Sequence, residues 1–170
     1  MDIITSDEIR QTIKTQFKSD RGFFSKKLYE SESIKDKSFY TPSPAALQAD
    51  YKQVVAIVAA DFGISPTQVK NLATNPETIW DCDDMAREFR QGYIKLHFKR
   101  YLGLEHKINV EPAAFQVTEK SIKNFGQLSF EVIHDFVMIF TTNGIYFADM
   151  MKDKVWSIND FKPAIISIGE

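Results

Sequence analysis

Residues 133–151 read IHDFVMIFTTNGIYFADMM, two apolar runs separated by Asn143 and Gly144. An Asn-Gly pair between β-rich runs is typical of a tight hairpin turn, because both residues tolerate the left-handed backbone that such turns require. The stretch therefore predicts two antiparallel strands. Further β-rich runs predict other strands of the same C-terminal sheet, and they lie at residues 108–110, 115–117, 128–132 and 165–168.

The chain before residue 107 carries helical periodicity instead. Apolar residues recur every three or four positions over 46–62, and Gly63 follows as a natural helix stop. A short helix is predicted to begin at Pro66. A long helix is predicted over 82–102, with Asp81 as its N-cap. Helices followed by strands are typical of an α+β domain.

The N-terminal segment is predicted to be a helical arm. Thr5 and Glu8 have the spacing of a capping box, in which each side chain accepts a hydrogen bond from the other residue's backbone N–H. Apolar residues follow at helical spacing, namely Ile9, Ile13 and Phe17. Two prolines over 38–44 predict a loop. The chain therefore divides into an arm over residues 1–43 and a single globular domain over 44–170.

Composition excludes several classes of protein. The 170 residues carry a net charge of −2, so no excess of positive charge is available to hold a nucleic-acid backbone. A single cysteine excludes an intramolecular disulfide framework and a Cys-rich zinc module. Apolar runs fall far short of the ~20 residues that span a bilayer. The first residues lack the basic and apolar regions of a signal peptide, so we expect a cytoplasmic protein without a membrane partner.

Residues 80–86, WDCDDMA, place Cys82 at the predicted start of the long helix. The positive end of the helix dipole lowers the pKa of a thiol at that position and favours the nucleophilic thiolate. Cys82 also begins the apolar stripe of the helix, so inert core packing is an alternative interpretation. The neighbouring acids disfavour the thiolate. A Ca²⁺ or Mn²⁺ ion held by Asp83 and Asp84 would remove that conflict.

A nucleophilic cysteine needs a histidine as its base and a third group that orients it. His97 lies fifteen residues further along the same helix, about 22 Å away, and His106 lies beyond its far end, which leaves His134. In a hairpin whose loop has an even number of residues, the side chains of His134 and Asp149 lie on the same face of the hairpin. Asp149 interrupts an apolar strand. Asp153 would lie on the same face of the hairpin, but it lies between two lysines, which is typical of a solvated turn.

The joint pattern resembles the papain-like and transglutaminase-like thiol enzymes. In the string DCDDMA over 81–86, the pattern Asp-Cys-Asp-Asp-x-Ala is similar to the nucleophile motif of bacterial transglutaminase-like cysteine peptidases and of the papain-like domain of fungal agglutinins. The resemblance covers about residues 44–160. It implies that Cys82 is the nucleophile, His134 the general base and Asp149 the group that orients the imidazole. It also implies that Asp83 and Asp84 bind calcium-like cations.

The activity implied by this resemblance is hydrolysis of a protein or peptide through a thioacyl intermediate, with calcium or manganese as activator. An amidase or an acyl transferase with the same triad is an alternative activity, because the pocket rather than the triad determines which molecule accepts the acyl group. A non-catalytic interaction domain or pseudoenzyme on the same fold is a second interpretation. A third is a cation-binding module in which Asp81, Asp83 and Asp84 are the functional residues and Cys82 is incidental. The oxyanion donor is open beyond the backbone N–H of Cys82, with Asn71 and Asn75 as candidates.

Overall fold

The computed structural model describes residues 2–17, 38–74, 80–101 and 111–168. A short 3-10 turn at Pro44–Ala46 precedes the second helix. The other elements, in chain order, are β1 (Asp2–Thr5), α1 (Ser6–Gln16), β2 (Ser38–Thr41), α2 (Leu47–Asp61), α3 (Pro66–Thr74), α4 (Cys82–Tyr101), β3 (Ala114–Phe125), β4 (Leu128–Thr141), β5 (Gly144–Asp149), β6 (Lys154–Ser157) and β7 (Ile165–Ile168). The predicted α+β class is confirmed.

The main sheet has five strands in the order β6-β5-β4-β3-β7. Every neighbouring pair in it is antiparallel. A separate two-stranded sheet joins β1 to β2. Strands β3 and β4 are the longest, and they continue as a two-stranded ribbon beyond their neighbours.

Each face of the main sheet is covered by a different part of the chain. Because side chains alternate along a strand, β3, β4 and β5 present one set to each side. One set packs with α1, and we call this side the α1 face; it includes Phe115, Phe136, Met138 and Phe147. The other set packs with α2 and α4, and we call this side the α4 face; it includes Ala114, Val137, Ile139 and Ala148.

Helix α1 lies within the predicted arm, yet its apolar side chains are part of the core. Ile9 and Ile13 are fully buried against the α1 face. Burying a side chain of this size stabilises the fold by about 1.5–3 kcal/mol. Residues 6–17 therefore share one core with the domain predicted to begin at residue 44.

The predicted helix ends agree with the structure where it describes them. Thr5 caps α1, and both hydrogen bonds of the capping box with Glu8 are present. Gly63 follows α2 in the left-handed conformation, at φ 66°. Helix α3 begins at Pro66. The predicted strand over 108–110 and the predicted end of the long helix at Leu102 lie outside the described residues.

The β4–β5 hairpin turns one residue earlier than Asn143-Gly144 suggests. Thr141 pairs with Gly144, so the loop is Thr142 and Asn143. Gly144 takes φ 113°, which only glycine adopts without strain, and becomes the first residue of β5. The loop still has an even number of residues, so the parity on which the site prediction rests is preserved.

Helices α2 and α4 approach each other closely at Gly92. A Cβ atom at this position would lie 3.0 Å from a methyl of Val54 and 3.3 Å from a methyl of Val58. The absence of a side chain lets α4 pack directly on α2 above the α4 face. Within the described ranges, no helix combines the length and the apolar character needed to cross a membrane.

Candidate thiol site

Cys82 is the first residue of α4. Asp81 caps the helix: its Oδ1 accepts the N–H of Asp84 at 3.4 Å, and its carbonyl accepts the N–H of Met85 at 3.1 Å. Asp81 is therefore the N-cap, as the sequence predicts. The cap fixes the thiol in the first turn of the helix, where Cys82 is half-buried.

The thiol of Cys82 lies against the strand that carries the predicted base. Burial raises the pKa of the thiol, and the negative charges of Asp135, Asp81 and Asp83 act in the same direction. A hydrogen bond with the backbone of Asp135 opposes the rise without overcoming it. The thiol is therefore protonated at neutral pH in this arrangement.

Gln116 and Asp135 connect the start of α4 to the sheet. The side-chain amide of Gln116 donates to Oδ2 of Asp135 at 2.9 Å and to the carbonyl of Asp83 at 3.4 Å. Sequence reasoning missed both residues. A signal was nevertheless present, since each is a polar residue in an apolar strand at a position whose parity matches the α4 face.

His134 and Asp149 form the tightest polar contact of the site. His134 Nε2 lies 2.6 Å from Oδ2 of Asp149. Because Val137 pairs with Ala148, His134 and Asp149 lie diagonally across the β4–β5 hairpin, on the α1 face. The His134 ring packs beside Phe136, with 5.8 Å between ring centroids. The predicted juxtaposition of this histidine and this carboxylate is present.

The carboxylate of Asp149 is held by more than the histidine. Its side chain is 1% exposed. Its Oδ1 accepts the backbone N–H of Lys152 at 3.1 Å, and the Lys152 ammonium lies 3.7 Å from Oδ2. The hydroxyl of Tyr51 donates to the Asp149 carbonyl at 3.5 Å. The two contacts with Lys152 fix the carboxylate in one orientation.

The residue that carries the imidazole, His134, and the residue that the thiol contacts, Asp135, are consecutive in β4. The thiol contacts the backbone of Asp135, while the preceding residue, His134, projects its ring to the α1 face. No hydrogen bond joins thiol and imidazole in the part of the chain that the structure describes. With Nε2 engaged by Asp149, Nδ1 is the ring nitrogen left for a proton from the thiol.

Three carboxylates cluster around the cap of α4. One oxygen from each of Asp81, Asp83 and Asp84 lies within 4.8 Å of the others. A side-chain hydrogen bond between the first two lowers the pKa of Asp81 and raises that of Asp83. Arg87 forms an ion pair with Asp84.

This donor set fits a hard divalent cation. Carboxylate oxygens are the ligands that Ca²⁺ and Mn²⁺ prefer. The predicted ligands Asp83 and Asp84 lie together, and Asp81 adds a third oxygen. Because the neighbouring Asp81 raises the pKa of Asp83, a dication between them would relieve the repulsion of their charges, which gives a chemical reason for the fit.

The remaining candidates from the sequence lie elsewhere. His97 is buried within α4 and pairs with Asp50 at 3.3 Å. Asp153 lies in the turn after β5, where Lys70 donates to it at 2.8 Å, so it is an ion-paired turn residue. Asn71 belongs to α3. His106 and Asn75 lie outside the described residues.

No protein-family model matches the chain, and no curated protein sequence matches it. Among solved structures, a lectin of Polyporus squamosus, bound to the epitope Neu5Acα2-6Galβ1-4GlcNAc, is similar with a TM-score of 0.54 and 13% identity. The match covers 96% of this chain and 48% of the lectin chain, so this chain spans about half of the lectin's length. At that identity the similarity concerns the fold alone.

Proposed function

We propose that the chain is a thiol hydrolase, with cysteine peptidase chemistry as its leading reaction. Cys82 is the nucleophile, His134 the general base and then acid, and Asp149 the group that orients the imidazole. The observation that carries this proposal is the 2.6 Å contact between His134 Nε2 and a buried carboxylate, one residue from the thiol's contact on β4. Such a base held by a third group is what activation of a thiol requires.

The proton path follows from the tautomer that Asp149 selects. Nε2–H donates to Asp149, so Nδ1 carries the lone pair that accepts the proton of Cys82. This transfer requires the thiol, which now contacts the backbone of Asp135, to reach Nδ1 of the neighbouring His134. The thiolate then adds to a substrate carbonyl, and the imidazolium protonates the leaving amine as the C–N bond breaks. Water releases the acyl group from sulfur by the same base.

The acidic cluster gives this site a means of activation. Asp81, Asp83 and Asp84 would hold Ca²⁺ or Mn²⁺, which when bound supplies positive charge beside the thiol. Two of these carboxylates, Asp81 and Asp83, are among the charges that raise the pKa of Cys82. Their neutralisation lowers that pKa and favours the thiolate.

Two independent likenesses support the proposal. The Asp-Cys-Asp-Asp string resembles the nucleophile motif of a domain found in fungal agglutinins, which are lectins. The similar solved structure is also a lectin, and this chain matches about half of it. A resemblance in the motif and a similarity in the fold, both to lectins, therefore support the proposal.

A non-catalytic interaction domain on the same fold is the second candidate. The raised pKa of the Cys82 thiol favours it, since a protonated thiol is a poor nucleophile. An inert thiol would leave Cys82 as a packing residue and His134–Asp149 as a buried polar contact.

Alkylation by iodoacetamide and hydrolysis of fluorescein-labelled casein separate the two candidates. Both are measured against pH, with and without calcium, in the wild type and in His134→Ala. For the hydrolase we expect calcium to speed alkylation in a way that depends on His134. Cys82→Ser, His134→Ala and Asp149→Asn should lose more than 99% of casein hydrolysis, the scale expected for loss of a general base.

Asp153→Asn is the matched control for Asp149→Asn, because both residues are carboxylates at the end of the same hairpin. It should retain hydrolysis. Full activity in Cys82→Ser or His134→Ala would refute the mechanism. Slow alkylation that is indifferent to calcium and to His134 would favour the interaction domain.

A further inference from the structure

Strands β3 and β4 continue past the strands that flank them. β7 pairs with β3 only over Val117–Glu119, and β5 pairs with β4 only over Val137–Thr141. Beyond these points the two strands pair with each other as far as Phe125 and Leu128. We call residues 120–133 the ribbon. In the described part of the chain, the outer edge of β4 in the ribbon has no neighbouring strand.

The backbone groups on this open edge can be assigned. Thr141 and Gly144 close a two-residue hairpin loop and so form a hydrogen-bonded pair. Alternate residues of β4 from Thr141 backwards therefore direct N–H and C=O towards the β5 side. Phe140, of the other parity, donates its N–H to Ala113 on the β3 side. Continuing the alternation, the residues whose backbone groups face the open edge are Asp135, Ile133, Glu131 and Ser129.

The same edge leads directly to the thiol. The backbone groups of Asp135 point to the side of β4 on which β5 pairs further along, and the backbone of Asp135 hydrogen-bonds with Cys82. A strand laid along the edge, in line with β5, would bring its own backbone carbonyl to the sulfur. The open edge and the candidate nucleophile are therefore continuous.

The side chains beside the edge are unusually apolar for a surface. Phe130 and Leu128 are 52% and 64% exposed, and Val132 continues their row towards His134 on the α1 face. On the opposite face, Glu131 forms an ion pair with Lys120. A bound strand would therefore meet a row of apolar side chains on the α1 face, and the exposed Ile133 beside the ion pair on the opposite face.

We propose that the open edge of β4, from Ser129 to Ile133, binds an extended polypeptide by strand addition, with apolar residues at alternate positions. The ligand pairs with the outward backbone groups of Ile133 and Glu131 and packs its apolar side chains on Phe130 and Val132. This mode of recognition takes affinity from main-chain hydrogen bonds and specificity from alternate side chains. The identification of this polypeptide as substrate rests on the proposed function; its binding does not.

Binding is tested with the full chain carrying Cys82→Ser, which prevents turnover. The probe is a capped, fluorescein-labelled peptide of alternating valine and threonine with a lysine at each end. Its comparison is the same peptide N-methylated at alternate residues, which removes backbone donors but keeps the side chains. Fluorescence anisotropy should show saturable binding of the first peptide and at least tenfold weaker binding of the second. Equal affinity for both, or no binding of either, would overturn strand addition.

Two pairs of variants locate the site. Glu131→Pro removes one outward N–H and should weaken binding at least tenfold, whereas Glu131→Ala keeps that N–H and should bind like the parent. Phe130→Ser should weaken binding, whereas Ile122→Ser, an equally exposed change on the far strand of the ribbon, should not. Circular dichroism melts confirm that each variant is folded. Binding unaffected by Glu131→Pro and Phe130→Ser would place the peptide elsewhere and reject the proposal.

Sedimentation of the Cys82→Ser chain distinguishes the other occupant of such an edge. A concentration-dependent dimer that is lost in Glu131→Pro, without peptide binding, would assign the edge to a second copy and overturn the proposal. Peptide binding and hydrolysis test the two proposals separately. If the peptide binds while the wild type hydrolyses nothing, strand addition stands and the thiol hydrolase fails; hydrolysis without peptide binding gives the reverse.

Discussion

The thiol of Cys82 is governed by residues that approach it from three elements. Its own helix provides the cap and two carboxylates, while β3 and β4 provide Gln116 and Asp135. Both the carboxylates and burial oppose ionisation. The helix dipole, which is the local reason for a reactive thiol, is therefore outweighed by burial and by negative charges, of which that of Asp135 lies far away in the chain.

Replacing Asp135 should make the thiol more acidic. Asp135→Asn removes a negative charge beside Cys82, and an amide still accepts the hydrogen bond of Gln116. Without that charge the thiolate is less disfavoured, so the apparent pKa of Cys82 should fall. The measurement is the pH dependence of iodoacetamide alkylation without calcium.

Asp7→Asn is the control, because it removes a carboxylate from the first turn of a different helix, α1. It should leave the alkylation profile of Cys82 unchanged. An unchanged or raised pKa in Asp135→Asn would show that Asp135 does not act on the thiol through its charge.

At the scale of elements, the packing of α2 on α4 depends on Gly92. A Cβ there would lie 3.0 Å from Val54. Overpacking costs about 1–3 kcal/mol, whereas alanine gains about 1 kcal/mol over glycine within a helix. We therefore expect Gly92→Ala to lower the free energy of unfolding, by up to about 2 kcal/mol.

The effect should become smaller when the nearest neighbour is shortened. In a Val54→Ala background the closest methyl is gone and the Val58 methyl at 3.3 Å remains, so Gly92→Ala should lower the free energy of unfolding by less than it does in the wild type. Urea denaturation of the four proteins measures both differences. Equal effects of Gly92→Ala in the two backgrounds would contradict close packing of Gly92 on Val54.

Local signals predicted the helix starts and the hairpin because each depends on a few adjacent residues. The capping box of Thr5, the proline of α3 and the parity that joins His134 to Asp149 all follow from short spacings. The contact of Cys82 with Asp135 does not, because it depends on how α4 crosses the sheet. The turn was misplaced by one residue because Gly144 supplies a positive φ at the start of β5 rather than inside the loop.

At the scale of the whole molecule, one turn connects the helices to the sheet near the site. Asp153 accepts hydrogen bonds from Lys70 of α3 at 2.8 Å and from the Tyr51 hydroxyl of α2 at 3.1 Å. The hydrogen bond from Lys70, followed by that from Tyr51, holds the pKa of Asp153 below its ordinary value. Burial and the charge of Asp153 in turn raise the pKa of Tyr51, so its hydroxyl remains a donor.

This tether predicts a pH dependence of stability. A carboxylate whose pKa is lowered by folding stabilises the protein above its unfolded pKa, here 3.8, and that contribution is lost as pH falls through the lower folded value. The wild type should therefore be more stable than Asp153→Asn at pH 6, by less than about 1 kcal/mol because the pair is solvent-screened. Below pH 3.8 the difference should shrink.

Thermal unfolding of the two proteins across pH 2–6 measures this difference. Asparagine tolerates the positive φ of 50° at residue 153, so the substitution tests the charge rather than the backbone. A difference that does not change with pH would show that the ionised carboxylate is not the stabilising group.

Helix α1 and the face it covers are separated by most of the chain. Ile9 and Ile13 pack against strands that begin only at Ala114. During synthesis at about 5–20 residues per second, α1 therefore waits several seconds or more for its binding surface. Its apolar side is open to chaperones throughout that time, and contacts of such long sequence separation form slowly. Strands made long after α1 complete its packing.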